Sequence, residues 1–116
     1  MVDLFLVHEQ HVFELRVRGE LTTPEATAAV VAALAHLPAE ADVLLDLCEV
    51  TALDVSVTPA LRSTILERRA AGGNVAVVTS DLGVRTTLAM GDVHHVAALA
   101  ADRQEAFRLL PGRLVA

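Results

Sequence analysis

The sequence predicts an α/β fold with a mixed sheet of four to five strands and about four helices. Three observations carry this. The runs at 43–47 (VLLDL) and 75–78 (VAVV) show almost no polar alternation, which marks strands covered on both faces. Between them Val57, Leu61 and Ile65 recur at i, i+4 and i+8, and strand, helix, strand in that order implies a parallel crossover. The first stretch of the chain instead holds two short apolar runs across a polar link, the pattern of an antiparallel hairpin.

The elements follow in order. The first strand is Leu4 to Val7 and its partner is Val12 to Val17, where Val12, Phe13, Leu15 and Val17 mix with Glu14, Arg16 and Arg18. His8 to His11 form the link, and Gly19 is expected to end the second strand. Thr22 with Glu25 has the spacing of a capping box, and Pro24 suits the first helical turn. That helix should run to about Leu37, stop before Pro38, and face the core with Val30, Leu34 and Leu37. Val43 to Leu47 is the third strand. The second helix spans about Ser56 to Ala70 and closes on Gly72 and Gly73, since glycine tolerates the left-handed cap. After Val75 to Val78, Ser80 and Asp81 cap a helix to about Met90, which Gly91 ends. His94 to Ala98 is an edge-strand candidate. Asp102 and Glu105 suit a capping box for a last helix to about Leu110. Residues 1–116 read as one domain, without internal repeat, low-complexity segment or linker.

Composition narrows the function classes. The chain is 53% hydrophobic with a mean hydropathy of +0.50, which excludes disorder. It has three Phe and no Trp or Tyr, so its core is aliphatic and it lacks the stacking platforms of base-binding surfaces. The net charge is −6 and its nine basic residues are all scattered Arg. Nucleic-acid binding needs clustered basic residues, so no nucleic-acid partner is expected. Arg62, Arg68 and Arg69 form the densest group and read as a solvated helix face. The longest apolar stretch, Ala28 to Ala35, is far short of a membrane span, and no charged segment with a cleavage site suggests secretion. A cytoplasmic protein is the expectation.

Residues with chemical potential are few and do not assemble. Cys48 is the only cysteine, so it forms no intrachain disulfide and reads as a small core residue. His94 and His95 invite a metal, but neighbours in a strand point to opposite faces, so no metal site is expected there. His8 and His11 read as turn residues, and His36 as a helix-end residue favoured by the dipole. Asp46 and Asp54 lack the nucleophile, base and orienter of a catalytic set. The glycines form no phosphate loop, since the chain contains no Lys. No catalytic residue and no cofactor are assigned, and an enzyme is a minor hypothesis.

The segment 54–59, Asp54-Val55-Ser56-Val57-Thr58-Pro59, is the exception. It opens a helix, where backbone N–H groups and the dipole favour a phosphate. From spacing alone Ser56 reads as an ordinary helix cap, and Thr58 reads as the cap before Pro59. Several motifs now occur in a distinctive order. They are Gly19-Glu20-Leu21, Leu45-Asp46-Leu47, the hydrophobic 50–53, the segment 54–59, and Ala71-Gly72-Gly73-Asn74 leading into a strand. In this order the chain resembles a STAS domain (sulfate transporter and anti-sigma-factor antagonist), in particular the stand-alone anti-sigma-factor antagonists. The resemblance runs from about Val12 to Leu110. Val55 and Val57 stand where that family has Ser and Gly, and Thr22 stands where it has Asp.

The resemblance implies a STAS-type sandwich and a regulatory binding protein without enzymatic activity. It implies phosphorylation at Ser56 by a serine kinase, and a partner-binding face containing Thr22, Asp54, Ser56 and Thr58. The implied partner is an anti-sigma factor with a kinase-like ATPase fold. The alternative is an adaptor without a phospho-switch, serving a transporter ATPase or a larger signalling assembly. Oligomeric state is not legible.

Overall fold

The structure, a computed structural model, describes residues 2–9 and 12–110. Five strands form one sheet in the order β1-β2-β3-β4-β5: β1 (Val2–Glu9), β2 (Val12–Leu21), β3 (Asp42–Leu53), β4 (Val75–Val78) and β5 (Ala98–Ala100). β1 pairs antiparallel with β2, and the other neighbours are parallel. The helices are α1 (Pro24–Ala35), α2 (Thr58–Ala70), α3 (Leu82–Met90) and α4 (Arg103–Leu109). This is the mixed α/β architecture the sequence predicts.

The sheet separates two cores. On one face Leu15, Leu45, Leu47 and Val77 meet Val30 and Leu34 of α1, Leu61 and Ile65 of α2, and Leu88 of α3. On the other, Val12, Leu44, Ala76, Val78 and Ala100 meet Ala106 and Leu110. Leu44 and Leu45 are both 0% exposed. Burial on opposite faces of one strand explains the unbroken apolar run.

The two central strands are longer than their apolar runs. β2 passes through Gly19, which does not end it but adopts φ 112°, a conformation only glycine takes easily. β3 reaches Leu53, and its pairing jumps from Arg16↔Asp46 to Arg18↔Glu49. That extra residue is a β-bulge, and it leaves Cys48 and Glu49 both exposed.

Helix ends agree with the sequence in kind and differ in register. Thr23, not Thr22, caps α1, its hydroxyl accepting the Ala26 N–H at 3.1 Å. α1 ends at Ala35, and Leu37 is buried beyond it. Asp81 caps α3, with its carboxylate accepting the Val84 N–H at 2.9 Å. Asp102 and Glu105 cap α4 as a box, Asp102 accepting the Glu105 N–H and Glu105 accepting the Ala101 N–H. Gly72 closes α2 at φ 101°. His8 is not a turn residue: it lies in β1, its ring stacked on Phe13 at 4.0 Å. His11 lies outside the described residues. The edge strand is Ala98–Ala100, while His94 and His95 sit in a 3₁₀ turn, Val93–His95.

Two cations have inward roles. Arg68 is not on a solvated face. It is 5% exposed and donates to the carbonyls of Leu34, Leu37, Pro38 and Ala41. It thereby occupies the carbonyl end of α1, where cations are favoured. Burial holds its guanidinium below the usual arginine pKa. Arg103 pins α4 to β2 through Glu14 at 2.8 Å, and Arg16 holds the other carboxylate oxygen at 3.0 Å.

Candidate functional site

Parallel pairing brings β2 and β3 to a common end, with Leu21 opposite Leu53. The Asp54 N–H donates to the Leu21 carbonyl at 3.1 Å. This joins the turn after β2, which carries Thr22, to the turn after β3, which carries Asp54 and Ser56. In sheets of this kind the carboxyl ends of the parallel strands are where loops gather into sites.

Asp54 organises the second turn. Its Oδ1 accepts the Ser56 N–H at 2.9 Å, starting a 3₁₀ turn over Val55–Val57 that leads into α2. Hydrogen bonds from Ser56 hold the Asp54 carboxyl below the usual carboxylate pKa. Val57 turns into the core at 3% exposure, so Ser56, two residues ahead of α2, faces solvent. Pro59 falls in the first turn of α2, where a missing N–H costs nothing.

Three backbone donors at this helix start are already engaged. The Ser56 N–H goes to the Asp54 side chain, that of Val57 to the Asp54 carbonyl, and that of Thr58 to the Val55 carbonyl. The Asp54 carboxylate thus takes one of these donors, and backbone carbonyls take the other two.

Of the four residues expected on a partner-binding face, Asp54 and Ser56 are exposed and Thr22 is half-buried. Thr58 departs from the expectation. It is 1% exposed, and its hydroxyl donates inward to the Val55 carbonyl at 2.7 Å. Gly91 presses on it so closely that a side chain at 91 would overlap Thr58. Thr58 is thus an interior contact between α2 and the end of α3, and it is not the α2 cap.

The sequence reading missed a groove beside Ser56. Pro24, Ala28 and Val31 of α1 face Ser56, Val57 and Ala60 across a cavity of about 410 Å³. Its lining carries no charged side chain. The signal lay in the small residues of α1: Ala28 beside Val31 leaves room where a Leu would fill it. Val55, 44% exposed, adds an apolar side chain to the Asp54–Val57 turn.

The other candidates remain apart. Asp46 is half-buried in β3, where its Oδ1 accepts the Cys48 N–H at 2.9 Å; it makes no pair with Asp54. Cys48 is exposed rather than a core residue, because the bulge turns it off the buried rows. Its Sγ still tucks against the Val78 carbonyl at 3.9 Å. Burial of that sulfur, the hydrogen bond with Asp46 and the charges of Asp46, Glu49 and Asp102 push the thiol pKa up to about 12. A thiol raised in this way is disfavoured as the thiolate at neutral pH. His36 caps the end of α1 as expected, its ring nitrogen on the Ala32 carbonyl at 2.8 Å. Among the described residues no helix is long and apolar enough to cross a membrane.

Comparison with known proteins places this arrangement. The sequence pattern of the STAS domain matches residues 5–106. An anti-sigma factor antagonist from Mycobacterium paratuberculosis superimposes with a TM-score of 0.77 at 19% identity, covering 95% of this chain and 94% of that one. The anti-sigma factor antagonist SpoIIAA in its unphosphorylated form gives 0.72 at 16% identity, over 90% and 93% of the two chains. The phosphorylated form of the Bacillus cell fate determinant SpoIIAA gives 0.66 at 14%, over 91% and 97%. At these identities the likeness is one of fold. No curated protein sequence matches the chain.

Proposed function

Because the chain belongs to the STAS domain family, matched over residues 5–106, we propose that it acts as an anti-sigma-factor antagonist. On this reading it is a cytoplasmic regulator that works by contact with another protein and has no turnover of its own. Its partner is an anti-sigma factor with a kinase-like ATPase fold, and binding frees the sigma factor. The observation that carries the reading is the exposed Ser56 at the common end of β2 and β3, beside Asp54, Thr22 and the apolar groove. Ser56 matches the phosphoacceptor position implied by the family resemblance.

Phosphorylation would add about −1.5 to −2 charge at neutral pH. With the local backbone donors engaged, that charge would project from the surface next to the Asp54 carboxylate. It would obstruct an apolar or acidic partner surface seated over the groove.

A second reading rests on Val55. An exposed apolar side chain beside Ser56 suits a constant docking surface, as in an adaptor that serves a transporter ATPase or signalling assembly without a phospho-switch. One experiment separates the two. Incubation with the cognate kinase and ATP, followed by intact mass, should add one phosphate to the wild type and none to Ser56→Ala. Ser56→Asp should weaken partner binding, while Ser56→Ala should preserve it. No mass gain, with equal binding by both variants, would overturn the switch and leave the adaptor.

A further inference from the structure

We propose that Asp92, His94 and His95 form a binding site for a single divalent transition-metal ion of the zinc type. The opposite-faces argument against the histidine pair assumed a strand. The chain instead folds there into a 3₁₀ turn, Val93–His95, and the two rings lie with centroids 4.0 Å apart. One ligand atom from each of the three side chains falls within 4.8 Å of the others, and all three residues are exposed. His95 Nε2 is 3.8 Å from Asp92 Oδ1.

The turn that presents them is held from beneath. Val93 is 0% exposed and Val96 is 6% exposed, and both belong to the core under α1, α2 and α3. Asp92 adopts φ 62°, and the His95 N–H donates back to its carbonyl at 3.2 Å. The backbone is thus fixed, and only side-chain rotation is needed to close the ligand atoms to the ~3 Å separations that metal–ligand bonds near 2 Å require.

Two imidazole nitrogens and one carboxylate oxygen suit zinc and its borderline neighbours rather than calcium or magnesium, which prefer all-oxygen sets. With three protein ligands, the outward coordination position is left to water. Arg69 lines the adjoining groove together with His94 and His95. Its positive charge and the exposure of the site both weigh against tight binding, so binding in the micromolar range is expected. Ser56 and its groove share no residue with this site, so the proposal is independent of the phospho-switch.

The test is calorimetric titration of the whole protein with zinc ion in a non-coordinating buffer, paired with the thermal midpoint. The wild type should bind one equivalent in the micromolar range and melt higher with zinc present. His94→Ala, His95→Ala and Asp92→Asn should each weaken binding by about tenfold or more; Asn keeps the left-handed backbone accessible. His36→Ala and Cys48→Ser should bind as the wild type does. Circular dichroism of the variants without metal should match the wild type. Absence of micromolar binding, affinity unchanged in the three variants, or binding lost in Cys48→Ser would overturn the site.

Discussion

Asp54 holds Ser56 in a turn that stays open to solvent: the carboxylate accepts the Ser56 N–H at 2.9 Å while the residue stays exposed. The aspartate therefore shapes the turn on which any modification of Ser56 would occur. It also sets the charge that a phosphate would meet.

Asp54→Ala should loosen the turn and lower the thermal midpoint, because a side-chain cap is lost. Asp54→Asn, which keeps an oxygen in place, should recover most of the loss. Amide exchange at Ser56 should quicken in the Ala variant and stay slow in the Asn variant. Equal protection in all three proteins would refute the role.

Arg68→Ala should destabilise the fold by about 3 kcal/mol, measured by urea denaturation. It removes a buried side chain and one donor from each of four carbonyls. Arg68→Lys should recover little, since an ammonium cannot span acceptors that a planar guanidinium reaches in two directions.

Glu14 should give the protein an acid-sensitive fastening. Burial raises its pKa, but the hydrogen bonds and charges of Arg16 and Arg103 outweigh burial and hold the carboxyl below its ordinary 4.5. A depressed folded pKa contributes stability above the unfolded pKa and loses it as pH falls through the folded value. The urea midpoint should therefore drop on the acid side of 4.5 more steeply in the wild type than in Glu14→Gln. At neutral pH that variant should be less stable by about 2 kcal/mol. Parallel acid limbs would contradict the assignment.

Cys48 should resist alkylation despite its exposure. With its thiol pushed up to about 12, almost none is thiolate at pH 8. Iodoacetamide should modify it much more slowly than a cysteine peptide, and Asp46→Asn should speed the reaction. A rate equal to the peptide's would show that the sulfur is not held as described.

Much of the fold is written in local pattern. The apolar runs at Val43–Leu47 and Val75–Val78, the crossover between them and the caps at Asp81 and Asp102 follow from periodicity and cap chemistry. The extension of β3 to Leu53 does not, because a bulge at Cys48–Glu49 interrupts alternation while pairing with β2 continues. Arg68 reads as a surface residue because its acceptors lie 27 to 34 positions away in sequence, beyond any local window. At the site, the exposure of Ser56 was legible from the helix start. Thr58 was not, because only tertiary packing against Gly91 decides that it points inward. His94 and His95 were misplaced because a two-residue polar interruption in an apolar stretch does not distinguish a strand edge from a 3₁₀ turn.

The four carbonyls gripped by Arg68 belong to the end of α1 and the link to β3, while the arginine stands in the last turn of α2. Sliding α2 along its axis by one turn would break all four bonds together. The arginine thus ties the C-terminal end of α1 to that of α2, far along both helices from the groove between Pro24 and Ser56. Any guest that widened the groove by rocking one helix against the other would strain these bonds as well.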